Sequence, residues 1–418
     1  MAREMKDSGV EWLREIPVNW QMIRNKNCFD CTKNIIGGKS SETQLLSLTT
    51  KGVKTKKAEE STGKIPESYD TYQTVEPDDI VMCLFDLDVS AVFSGISPYY
   101  GMISPAYKVL KCKDNIIPTF ADFWFSYIFD GRKFKHYSKN LRYTLNYDEF
   151  AVLPIAVPSI HEQHRIASYL SIECEKIDAF IERSKASIEE YKKLKQAVIT
   201  QAVTKGIRPG RQMMDCTIDG LDKMPADWIE LRNSFLFREN VREPYENSPS
   251  LSLSQADGLV MTENMKESSL KTSSFDGWKR VELGDLVLNR FKAHLGVFFA
   301  ATIKGMVSFH YGVYSPVRAV NSKYYEYLFH SDVYRGIFAY KSNGMTVGLQ
   351  NLSNQNFYDV KSLYPSIEEQ NEIVEYIDST VGEIDKLIKR KEIFIDELES
   401  YKKSLIYEYV TGKKEVPA

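Results

Sequence analysis

Between residues 158 and 204 apolar positions recur every three or four residues, and the same pattern returns between 365 and 411. The first stripe runs through Ile177, Ile181, Ile188, Tyr191, Val198 and Ala202; the second through Ile384, Ile388, Ile395, Leu398, Leu405 and Tyr409. A mean spacing of about 3.5 residues marks a helix that pairs with another helix. Both stripes are interrupted at corresponding places, by Ser184 and Lys195 and by Lys391 and Lys402. Shared defects argue for one joint made by both helices, and the pattern predicts that they form an antiparallel coiled coil. About 45 residues at a rise of 1.5 Å each predict helices roughly 70 Å long. Each has a start signal, Pro158 and Ser159 with Glu162, and Pro365 and Ser366 with Glu369. Ser followed three residues later by Glu predicts a capping box, with the hydroxyl accepting from the backbone and the carboxylate reaching back.

The two stretches align without a gap at an offset of 207 residues, with 17 of 47 positions identical. The repeat extends beyond them. Ile16-Pro17-Val18-Asn19-Trp20 matches Met224-Pro225-Ala226-Asp227-Trp228, and each is followed by Arg-Asn, at Arg24-Asn25 and Arg232-Asn233. Leu46-Ser47-Leu48 matches Leu251-Ser252-Leu253, Val75–Val81 matches Val281–Val287, and Gly101–Ser104 matches Gly305–Ser308. The chain therefore divides as a globular domain (1–157), a helical region (158–209), a second globular domain (210–364) and a second helical region (365–418). Two mixed domains in tandem, separated by long helices that pair antiparallel, predict an α+β fold with pseudo-twofold symmetry and a globular domain at each end of the helical pair.

Within the globular segments, Ile80 to Phe85 follows a Pro-Asp-Asp turn and reads as a buried strand; Gly101 to Leu110 reads as another. Phe120 to Phe129 carries aromatic residues at helical spacing and predicts a packed helix, with Tyr324 to Phe329 as its counterpart.

Composition narrows the class. With 43% hydrophobic and 27% charged residues the chain reads as soluble and globular, and 418 residues exceed one ordinary core. Apolar runs such as Asp79 to Leu87 are too short to span a bilayer, and Met1 to Lys6 lacks a signal-peptide core. Six cysteines in such a length make no disulfide framework, so a reducing cytoplasm is expected. The formal net charge of −3 counts against nucleic-acid binding by the isolated chain, unless basic residues cluster or a partner adds phosphate contacts.

No catalytic constellation emerges. Gly38-Lys39-Ser40 resembles the end of a phosphate loop, but Lys33 stands where the pattern needs glycine. Ile96-Ser97-Pro98-Tyr99-Tyr100 lacks the second proline of an amino-methyltransferase loop. Cys28 and Cys31 have zinc-site spacing but no second pair, and His161-x-x-His164 is not zincin spacing. Glu76 and Asp79, like Glu282 and Asp285, sit in a turn before a strand, which favours turn chemistry. We expect no catalytic and no metal residues and no cofactor bound by this chain.

Two features suit DNA. Lys51, Lys54, Lys56 and Lys57 form a basic segment, read as a flexible loop fit for phosphate contacts. Before each long helix lies a loop of polar donors with a bulky side chain. One carries Lys139, Arg142 and Tyr143; the other carries Lys341, Asn343 and Thr346. That mix suits insertion into a groove.

The layout resembles the specificity subunits of type I restriction–modification systems. The opening Met5–Leu13 with Ile16-Pro17-x-x-Trp20 resembles their usual start. Pro158-x-Ile160-x-Glu162-Gln163-x-x-Ile166 and Pro365-x-Ile367-x-Glu369-Gln370-x-x-Ile373 resemble the starts of their two shared helical regions. Ala202–Gly206 resembles the end of the first. The resemblance covers essentially the whole chain. It implies that each globular domain is a target-recognition domain reading one half of a split target in double-stranded DNA. It implies that the helical pair acts as spacer and as platform for two methyltransferase subunits. Those subunits would bring S-adenosylmethionine, and a motor-nuclease partner would bring ATP and Mg; no membrane is involved. An interaction scaffold without DNA binding is the competing expectation.

Overall fold

The computed structural model describes residues 3–57, 67–137, 143–255, 257–265, 275–342 and 351–417. The chain forms two compact units: Met1–Ser184 together with Glu392–Ala418, and Lys185–Lys391. The repeat seen in the sequence is also a repeat of topology.

In the first unit a four-stranded antiparallel sheet has the order Phe29–Thr32, Lys108–Cys112, Ile80–Met82, Ser94–Ile96. In the second the order is Phe237–Glu239, Tyr311–Pro316, Leu286–Asn289, Phe298–Ala300. Ile80–Met82 and Leu286–Leu288, each in an inner strand, are apolar at every position because both their faces are covered. Leu286 and Leu288 join the large aromatic core of the second unit. Val287 points the other way, into a smaller cluster with Leu251, Val281 and Val313. Successive side chains alternate between faces, so a strand covered on both sides reads as a continuous hydrophobic run. Gly101 to Leu110, expected as one strand, is two. Gly101–Ile103 pairs with Gln73–Val75, and Lys108–Cys112 joins the sheet after a turn closed from Tyr107 N–H to Ser104 C=O. An apolar run alone does not reveal the Ser104-Pro105-Ala106 turn that divides it.

Helix α1 (Pro118–Asp130) and the short α2 (Tyr147–Ala151) complete the first globular region, and α3 (Ile160–Lys205) follows. The second region carries α4 (Ser322–His330), α5 (Asp332–Lys341) and the short α6 (Asn354–Asp359), followed by α7 (Ile367–Val410). The repeated Arg-Asn motif has a plain structural task. Asn25 and Asn233 are buried, and their amides donate to the carbonyls of Phe150 in α2 and Phe357 in α6, at 3.0 and 3.1 Å.

The two long helices pack against each other antiparallel. In the first unit Lys402 of α7 pairs with Asp178 of α3 at 2.7 Å. In the second unit Lys195 of α3 pairs with Asp385 of α7 at 2.8 Å. Within the second unit, advancing from Tyr191 to Lys195 along α3 corresponds to retreating from Lys391 to Asp385 along α7. Lys195 and Lys402 were the interruptions of the apolar stripe, and each is met by an aspartate from the other helix. Ser184 is buried and Lys391 lies over the Tyr191 ring at 5.9 Å.

Both helix starts depart from the expected capping box. Ser159 and Ser366 do cap, each accepting from the amide three residues on at 3.3 Å. The glutamates do not reach back. Glu162 instead accepts from the indole N–H of Trp20 at 3.0 Å and pairs with Arg3; Glu369 accepts from Trp228 at 3.0 Å and pairs with Arg211. The neighbouring glutamines finish the joint. Gln163 accepts from the Ile117 amide just before α1, and Gln370 accepts from the Asn321 amide just before α4, both at 2.9 Å. Ionic and amide hydrogen bonds inside a low-dielectric joint outweigh a cap that water can replace. The Glu-Gln pair therefore fixes each globular region onto the start of the helix that follows it.

Candidate nucleic-acid interface

In the first unit, the chain leaving the central strand and the chain returning toward α2 come together. The Leu145 amide donates to Leu84 C=O at 2.7 Å, and the Asp86 amide to Thr144 Oγ1 at 3.1 Å. Around this junction Asp88 binds both Arg132 at 2.5 Å and Lys135 at 2.9 Å, and those partners hold its carboxyl below the usual range, the Lys135 hydrogen bond contributing most. Lys135 also stands 4.3 Å from the centre of the Tyr143 ring. Asp86, Arg132 and Tyr143 all have left-handed backbone, with φ of 49, 48 and 48°. They are three of the six non-glycine residues with positive φ among the described residues. For an arginine and a tyrosine this conformation carries real strain, and strain concentrates where a surface is shaped for a ligand.

The second unit builds the equivalent junction differently. After Leu286–Asn289 the 3-10 segment Arg290–Leu295 returns to the sheet, and Leu352 donates to Arg290 C=O at 3.1 Å. Arg290 and Lys279 converge on Glu239 at 2.6 and 2.8 Å. Asn354 donates to the same carboxylate and accepts from Arg290 at 2.7 Å and from the Tyr314 hydroxyl at 2.6 Å. Two cations and an amide thus meet one carboxylate in a largely buried cluster. Its counterparts in the first unit, by sheet register and position along the strands, are the uncharged Cys31, Gln73 and Leu84. The two globular regions thus share a frame and differ in the side chains at its rim.

Of the residues singled out for DNA contact, Lys139, Arg142, Asn343 and Thr346 lie outside the described residues. Tyr143 belongs to the strained junction. Lys341 ends α5, half-buried, its carbonyl accepting from Asn356 at 2.7 Å. The Lys51–Lys57 segment, expected as a loop, is the turn and second strand of a hairpin, Leu46–Thr49 paired with Gly52–Thr55. Val53 is buried on its inner face while Lys51, Lys54 and Lys57 are exposed. Alternation of one apolar residue among lysines was the signal for a strand. The matching hairpin of the second unit, Leu251–Ser254 with Gly258–Met261, has no lysine. Sequence reasoning passed over the runs Arg132-Lys133-Phe134-Lys135-His136 and Arg290-Phe291-Lys292-Ala293-His294, whose alternation of cations and rings could have flagged both.

Along the helical pair Ile177, Ile181, Ile188, Ile384, Ile395 and Leu405 are buried, and Tyr191, Val198, Ile388 and Leu398 are half-buried. Cys174, Ile199 and Ile406 are also buried there. Cys28 is buried and Cys31 half-buried; burial pushes the Cys28 thiol up to about 11. Among the described residues no His, Cys, Asp or Glu side chains gather as a metal site, and no helix is long and apolar enough to cross a membrane.

No protein-family model matches the sequence, and no characterised protein matches it in sequence. In three dimensions the chain is similar to one from a type I restriction–modification system, solved for its complex assembly and conformational transition. The identity is 13%, with 96% of this chain and 99% of that chain covered and a TM-score of 0.70. It is also similar to the HsdS subunit from Thermoanaerobacter tengcongensis, at 12% identity over 96% of this chain and 98% of that chain, with a TM-score of 0.52. The likeness runs the full length of both chains and shows that this protein has the fold of an HsdS subunit: two mixed α+β regions with two paired long helices.

Proposed function

We propose that the chain is the DNA sequence-specificity subunit of a type I restriction–modification complex. The observation that carries this reading is the end-to-end likeness to HsdS, with both globular regions and both long helices included. Arg132 and Lys135 at the first junction, together with the Lys51, Lys54, Lys56 and Lys57 hairpin, would supply phosphate contacts, and the side chains that differ between the two junctions would read bases. Each globular region reads one half of a split target. The paired helices set the distance between the halves and dock two methyltransferase subunits, which bind S-adenosylmethionine and methylate the DNA. A motor-nuclease partner using ATP and Mg completes the restricting form, in the cytoplasm. The chain itself catalyses nothing in this scheme: it binds and positions.

The test is assembly with methyltransferase subunits, followed by mapping of methylated adenines. A single two-part motif is expected, bound with a steep inverse dependence on salt. A complex that assembles yet binds no DNA at any salt concentration would instead make the chain a scaffold.

A further inference from the structure

The turn Ser308–Tyr311 of the second unit, closed by the Tyr311 N–H to Ser308 C=O bond at 3.1 Å, carries Phe309 and His310 at its two central positions. Their rings lie 3.9 Å apart. Phe291, from the Arg290–Leu295 segment, lies 5.7 Å from the His310 ring. Phe309 is 56% exposed and Phe291 42%. Phe275, exposed and edge-on to Trp278 at 5.0 Å, extends the same surface, since Gly277 lies against Phe309. The corresponding turn of the first unit is Ser104-Pro105-Ala106-Tyr107, where Phe85 packs on the Tyr107 ring at 5.7 Å. One unit closes this turn with proline and alanine; the other leaves rings in water. Exposing several adjacent rings is unfavourable unless something covers them.

We propose that Phe291, Phe309 and His310 form a stacking shelf for an unpaired nucleobase. This rests on the DNA-recognition reading and adds a ligand class to it. Charge and continuity choose the occupant. Phe291 lies between Arg290, which is paired with Glu239, and exposed Lys292, which has no ion pair among the described residues. Rings flanked by cations take up bases together with their phosphates, whatever the base, because every base offers a π-face.

The test uses the full chain assembled with its methyltransferase subunits and two short duplexes of one sequence, one fully paired and one with a single bulged 2-aminopurine. The bulged duplex should bind roughly tenfold more tightly, with quenching of the 2-aminopurine emission. Combined Phe291→Ala and Phe309→Ala should abolish the preference and the quenching while changing affinity for the paired duplex less than about twofold. Phe309→Tyr, which keeps the ring, should retain both effects and shows that the site tolerates substitution. Binding to the paired duplex without preference, or a preference that survives in the double variant, overturns the shelf alone. Failure to bind either duplex overturns the shelf together with the reading beneath it.

Discussion

The indole N–H of Trp228 donates to Glu369 at 3.0 Å across 141 residues of sequence, and the Arg211 guanidinium closes on the same carboxylate. Trp20, Glu162 and Arg3 repeat the arrangement. The two joints differ in enclosure: the Glu369 side chain is 3% exposed and Glu162 18%. Glu369→Ala leaves the buried Trp228 indole N–H without an acceptor and the Arg211 guanidinium with Asp227 alone, at a cost of roughly 1–3 kcal/mol. Glu162→Ala should cost clearly less, since water reaches its partners. Urea unfolding followed by tryptophan emission measures both, and equal losses would contradict the assignment.

The interhelical pairs Lys195–Asp385 and Lys402–Asp178 are part-exposed, so each should contribute about 0.2–1 kcal/mol. Their use is register. A double-mutant cycle on Lys195 and Asp385 should return coupling in that range, reduced by salt. Ile181→Asp, by contrast, places a charge on a buried position and should cost several kcal/mol. If it is tolerated, Ile181 does not face the other helix.

Lys54→Ala should lower affinity evenly across DNA sequences and reduce the salt slope by about one, as expected for a lysine that meets phosphate. Lys135→Ala removes a cation from Tyr143 and from Asp88 together. It should weaken binding and also relax sequence preference in one half-site only. Titrations at several salt concentrations on targets altered in either half separate the two behaviours. Unchanged affinity and preference in both variants would move the interface elsewhere.

His330 adds a pH dependence. Burial, with Lys323 and Arg335 nearby, lowers its pKa from 6.5 to about 4, and its Nε2 has no hydrogen-bond partner among the described residues. The folded ring stays neutral where the unfolded one takes up a proton. Its contribution is therefore complete above about pH 6.5 and is lost as pH falls toward 4. His330→Gln should remove up to about one proton from the slope of stability against pH in that window. An unaltered slope would mean that the ring is not protected from protonation.

The sequence made some of this legible and not the rest, for physical reasons. The helical pair was legible because a two-helix seam imposes its period on every turn, down to the interruptions at Lys195 and Lys402. Trp20 and Glu162 were both visible as repeated motifs, yet nothing local says that one binds the other. A Ser-x-x-Glu pattern has a satisfactory local explanation, and the tertiary partner overrode it. The left-handed backbone at Arg132 and Tyr143 left no trace, because neither residue type is suited to it. The Phe309 and His310 turn was hidden for a related reason: an aromatic residue in a sequence is most often core, and only coordinates show it facing water.

The discontinuity of the first unit has a consequence for biosynthesis. Lys185–Lys391 is one uninterrupted stretch, whereas the first unit needs Glu392–Ala418 to complete it. A ribosome adding about 5–20 residues per second spends roughly ten to forty seconds between Ser184 and Glu392. Throughout that interval the nascent first unit holds Ile177 and Ile181 uncovered, and the second unit receives its last segment at Lys391, before the first receives any of Glu392–Ala418. The order of completion is the reverse of the order of translation, and a chaperone that shields the early half of α3 would have most to do in that window.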